Sequence, residues 1–70
     1  MAEVKIFYDK VGNTLTIWFG DSREEHTSEE TGDEVVLMKD QRGRVIGFEK
    51  LNFCIPKQDP LRLSFETSPA

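Results

Sequence analysis

Few residues in this chain are of the kinds that usually carry chemistry. There is one cysteine, Cys54, and one histidine, His26. A single cysteine excludes an internal disulfide. With an N-terminus that has no positive-then-apolar build, it points to a reducing, cytoplasmic setting. Cys54 is flanked by Phe53 and Ile55, with no base beside it to lower its pKa. It reads as a partly buried packing cysteine rather than a nucleophile. The lone histidine gives no specific Ser/His/Asp set, because thirteen acids compete for the third place. His26 lies among Glu24, Glu25, Glu29 and Glu30, a mixture of ligands that a divalent metal accepts. One imidazole with flexible carboxylates fixes no geometry, so a solvated acidic segment is the expectation. No glycine-rich loop precedes a helix, since Gly43 and Gly47 fall in and beside a hairpin. Apolar runs are only a few residues long, and no transmembrane helix is expected. These absences leave no catalytic, cofactor-binding or metal-ligating residue to nominate, and no enzyme is expected.

Basic residues are also in deficit, nine against thirteen acids, for a net charge of −4. Seven of the acids and a single base, Arg23, fall within residues 20–34, so that stretch carries −6 and the remainder +2. An acidic domain is repelled by phosphate, which argues against nonspecific nucleic-acid binding. Lys39, Arg42 and Arg44 make one local basic tip, offset in part by Asp40.

What the chain does contain is the period of β-strands. Seventy residues make one domain, which buries roughly 60% of its unfolded surface and has a thin core. Gln41, Arg42 and Gly43 form a three-residue loop if Gly43 is left-handed, which sets Asp40 opposite Arg44. Counting outward pairs Met38 with Ile46, Val36 with Phe48 and Glu34 with Lys50. The reverse face then offers Val35, Leu37, Val45 and Leu51.

An earlier hairpin turns at Gly12 and Asn13, residue types that tolerate positive φ. Setting Asp9 opposite Thr14 pairs Tyr8 with Leu15, Ile6 with Ile17 and Val4 with Phe19. All six are apolar and share one face, the expected core. The opposite face carries Lys5, Phe7, Thr16 and Trp18.

Residues 24–31 show no apolar period and are expected to be a solvated loop or an edge strand, since charge on an edge opposes aggregation. Thr31, Gly32 and Asp33 read as a turn. Residues 52–60 are irregular, with Pro56 and Pro60 among them. Leu61, Leu63 and Phe65 alternate with Arg62, Ser64 and Glu66, the pattern of a last short strand. Residues 67–70 are an expected frayed tail. The expected fold is all-β: a small antiparallel meander of two hairpins plus a C-terminal strand, in a curled sheet or partly open barrel.

The run IFYDKVGNTLTIWF resembles the opening of the domain-of-unknown-function 2283 family. Members begin with a strand ending in Tyr-Asp, a short turn, and a strand of the Leu-Tyr-Ile type. The run EVVLMKDQRGRVIGFEKL is similar to that family's second signature. The likeness covers about residues 4–51; residues 52–70 form an extension. Asn13 stands where the family usually has an acid, and Trp18 and Phe19 make their strand bulkier than usual. The resemblance implies a small β-rich bacterial or cyanobacterial protein with no assigned activity. Some relatives are encoded beside small toxin-like proteins, which implies a partner-binding role. It supplies no catalytic or binding residues.

Phe7 and Trp18, with Phe53 as a third aromatic, are the candidate interaction surface, because aromatics on a sheet face supply large contact area. Either a second layer of this chain or a partner must cover them. The expected function is a non-enzymatic protein-interaction module or a small homo-oligomeric structural protein, acting as a homodimer or on a small protein partner, with no cofactor. The alternative is a ligand- or nucleic-acid-binding β-barrel using the Arg42/Arg44 tip and stacking on Trp18.

Overall fold

The computed structural model describes residues 2–56 and 59–69; Ala70, the end of the expected tail, lies outside them. Five strands form one antiparallel sheet: β1 (Lys5–Asp9), β2 (Thr14–Trp18), β3 (Thr27–Glu30), β4 (Val35–Lys39) and β5 (Val45–Lys50). The described residues contain no α-helix, only a 3₁₀ turn at Ser22–Glu24. Accordingly, no helix among them is long and apolar enough to cross a membrane.

The first hairpin has the register that its apolar residues require. Ile6 pairs with Ile17, Tyr8 with Leu15 and Asp9 with Thr14. Its turn is held by the Asp9 carboxylate, which accepts the Val11 and Gly12 N–H groups, both at 3.0 Å. Asn13 takes the left-handed conformation with φ 57°, where an Asn side chain is tolerated.

The strand order is β1-β2-β5-β4-β3, which corrects the expected meander. After β2 the chain does not turn back beside it. It passes through the 3₁₀ turn, capped by Asp21 accepting the Arg23 N–H at 2.9 Å, and reaches the far edge as β3. β4 and β5 then fill the gap from outside inward. The sheet is not closed, and β1 and β3 are its two edges.

At the second hairpin the loop is as expected, with Gly43 at φ +80° and the Asp40 N–H donating to the Arg44 carbonyl at 2.9 Å. The register beyond it is not. Lys39 pairs with Val45, but Met38 pairs with Gly47, Leu37 with Phe48 and Val36 with Glu49, so Ile46 is one extra residue in β5. The bulge replaces the expected pairs Met38–Ile46 and Val36–Phe48. Its cause lies on the other side of β5. The Ile46 carbonyl accepts the N–H groups of both Phe19 and Gly20, at 3.0 and 2.9 Å. A β-bulge shifts the residues beyond it to the opposite face. Phe48 therefore shares a face with Ile17 and Leu37, while Val36 and Met38 join the face of Trp18. Lys50 pairs with Val35 yet still reaches Glu34, with Nζ 3.3 Å from the carboxylate.

The expected C-terminal strand does not form. No described residue of the 59–69 stretch makes a ladder, and Leu63 and Phe65 are exposed. A strand needs a neighbour to bond, and neither edge of the sheet takes this one. As a result no second layer of strands or helices covers the sheet among the described residues. Phe53 covers Tyr8: its ring meets Tyr8 edge-on with centroids 5.8 Å apart, anchored by its N–H on the Asn13 carbonyl at 2.7 Å. Cys54, expected to be partly buried, is instead exposed. The face expected to be the core is likewise half open: Tyr8, Leu15 and Ile17 are partly buried, but Val4, Ile6 and Phe19 are exposed. Among the described residues only Met38 and Ile46 are buried apolar side chains.

Candidate functional site

The strand registers line up cross-strand rows. On one face Lys5, Trp18, Gly47, Met38 and Ser28 form a row through all five strands. Beside it run Phe7, Thr16, Glu49, Val36 and Glu30. Phe7 and Trp18 are diagonal neighbours on this face, as the pairing parity requires.

Their surroundings differ. Phe7 is 63% exposed. Trp18 is partly buried, and its indole lies over Gly47. A Cβ added at Gly47 would come within 2.7 Å of Trp18 Cε3 and 2.7 Å of the Ile17 carbonyl. No side chain fits there without a shift, so the glycine is what lets the indole approach β5, and the indole covers backbone that glycine would leave wet. Met38 is buried on the other side of the same glycine. Trp18 is thus partly structural, and Phe7 is the freer aromatic. The isolated Gly47 within a strand pattern was a signal for such close approach.

The opposite face carries a stripe that sequence reasoning did not single out. Ile6, Ile17, Phe48 and Leu37 lie in one row across four strands, ending at Glu29 on β3. None of the four is fully buried. The stripe could not be read from the sequence without the bulge, which brings Phe48 and Leu37 together.

Asp40, Arg44, Asp21 and Arg23 are bonded locally. Asp40 is buried although charged. Its Oδ1 accepts the N–H groups of Arg42 and Arg44, both at 2.9 Å, and its Oδ2 accepts Arg44 Nε at 2.9 Å. These bonds, led by the Arg44 N–H, hold its carboxyl below the usual range despite burial. Arg44 therefore locks the hairpin tip. Asp21, bonded by the Arg23 side chain and N–H, has its carboxyl lowered to about 2.

An open cleft of about 460 Å³ lies between the tip and the 3₁₀ turn, with Arg23, His26, Arg42 and Arg44 on its walls. Two of its three arginines are paired, Arg23 with Asp21 and Arg44 with Asp40, and Glu24 and Glu25 line it as well. The His26 N–H donates to the Lys39 carbonyl at 2.8 Å, which starts β3. Among the described residues no three His, Cys, Asp or Glu side chains gather where a metal ion would fit.

An open five-stranded sheet, with aromatic and aliphatic residues on both faces and with Asp9, Asp21 and Asp40 bonded into its turns, defines a small all-β module. The chain belongs to the family described as protein of unknown function (DUF2283), whose model matches residues 5–53. The matched span is the sheet together with Phe53, and it leaves out the tail. Neither a curated protein nor a solved structure matches the chain.

Proposed function

We propose that the chain is a non-enzymatic protein-interaction module that completes its fold against a second copy of itself, with the Phe7/Trp18 face as the contact surface. One observation carries the reading: the molecule has too much surface for its mass. A compact monomer of 8.1 kDa exposes about 4,500 Å², whereas this chain exposes 6007 Å². Its radius of gyration is 13.7 Å, against about 11 Å for a compact chain of this length. The excess, roughly 1,500 Å² on one chain, is more than the roughly 800 Å² that each partner buries in a standard interface. The alternative of a nucleic-acid-binding barrel has less behind it, since the net charge is −4 and Arg44 is bonded to Asp40.

The test is sedimentation of the wild type and of Phe7→Lys across a range of concentrations. Phe7 is the residue to change, because replacing Trp18 would also uncover Gly47. The wild type should sediment as a dimer at micromolar concentration and the variant as a monomer, with the same far-UV spectrum. A wild type that stays monomeric at the highest concentration would sink the proposal.

A further inference from the structure

Residues 61–65 have the period of a strand and no partner to pair with. Leu61, Leu63 and Phe65 alternate with Arg62, Ser64 and Glu66, as in a strand with one buried face. Their exposure instead rises along the chain, from 40% to 66% to 83%. Leu61 still borders a small cleft with Tyr8 and Lys10; beyond it the segment departs from the sheet. Pro56 and Pro60 fix φ on the way out and reduce the freedom to fold back.

The two edges of the sheet are not equivalent hosts for such a strand. β3 carries Glu29 and Glu30, with Glu24, Glu25 and Asp33 close in sequence. Charge on an edge opposes strand addition; Asp59 and Glu66, which flank the segment, would add to the repulsion, against the single opposite charge of Arg62 within it. β1 has Lys5 within it and Lys10 just beyond its end, and its one acid, Asp9, is engaged in the turn. Val4, Ile6 and Tyr8 recur at the two-residue spacing of Leu61, Leu63 and Phe65. Val4 and Ile6 are 53% and 45% exposed. A strand laid along β1 brings three apolar side chains against three.

Resting on the self-association proposed above, we infer that residues 61–65 of one copy add as a sixth strand to the β1 edge of a second copy, reciprocally. Main-chain bonds supply the attachment and the apolar side chains select the face. Reciprocal exchange about a twofold axis closes the assembly, whereas one-way addition would propagate.

Light scattering on the full chain tests this. The wild type should have the molar mass of a dimer. The double variant Leu63→Glu/Phe65→Glu should halve it and leave the far-UV spectrum unchanged, because both residues are exposed within their own chain. In the wild type, amide exchange along β1 should slow as concentration rises, while exchange along the β3 edge stays fast. A monomeric wild type overturns the inference, as does slowing at β3 instead of β1. A dimer that survives the tail variant but dissociates with Phe7→Lys also overturns it, and leaves the self-association reading standing. A monomer whose melting midpoint drops in the tail variant would show the segment pairing with its own β1, which overturns the exchange.

Discussion

At the tip of the β4–β5 hairpin, one carboxylate accepts two backbone N–H groups and an arginine Nε from within the same turn. Asp40 is therefore more acidic folded than unfolded. A carboxyl with a lowered folded pKa stabilises above its unfolded value, near pH 4, and that stabilisation is lost as pH falls through the folded value. Melting midpoints measured from neutral pH downward should show the wild type losing ground to Asp40→Asn below about pH 4, and exceeding it at pH 7. Equal midpoints at pH 7 would mean that the tip does not depend on this side chain. Gly47 governs the middle of the sheet as Asp40 governs its tip. Gly47→Ala must displace the Trp18 ring or the Ile17 carbonyl, at a cost of roughly 1–3 kcal/mol. Denaturant melts should show it, and an unchanged midpoint would mean that the indole does not rest on β5. Gly43 and the Asp40–Arg44 pair were legible because a three-residue loop is local chemistry. Gly47 was not fully legible, because what it accommodates is contributed by another strand.

Strands were readable in proportion to how far their own residues decide them. The β1–β2 register follows from six apolar residues and a short turn. β3 has no such pattern, since Thr-Ser-Glu-Glu is polar throughout, and it exists because β4 offers an edge to bond. Residues 61–65 have the pattern and lack the neighbour. The bulge in β5 lies between these cases, because the hairpin alone favours a straight ladder and the ends of β2 favour the extra residue. The Glu29 and Glu30 side chains hold β3 only weakly. Glu29 pairs with Lys39 on the surface, worth about 0.2–1 kcal/mol. Glu24→Gln, Glu25→Gln, Glu29→Gln and Glu30→Gln together should leave cooperative unfolding intact while raising aggregation on heating, since the edge loses its charge. Turbidity during a melt checks this; unchanged solubility would show that the acids do not guard the edge.

For the whole molecule, the all-β class followed from the sequence, but the strand order did not. Each hairpin is specified by its own residues, whereas joining them depends on β2 and β5 meeting, as where Thr16 Oγ1 donates to Glu49 Oε2 across 33 positions. No periodicity encodes that junction. The absence of a second layer was equally hidden, because alternation marks one face as apolar without saying what covers it. The strand order also has a temporal consequence. β5 is the centre of the sheet and the last of its strands to be synthesised. Until it emerges, β1–β2 and β3–β4 have no strand in common, and the inner edges of both are open to solvent. The closing step is a non-local pairing that is slow relative to hairpin formation. The period when the nascent sheet is most exposed to wrong partners is therefore the interval just before the central strand arrives to join the two halves.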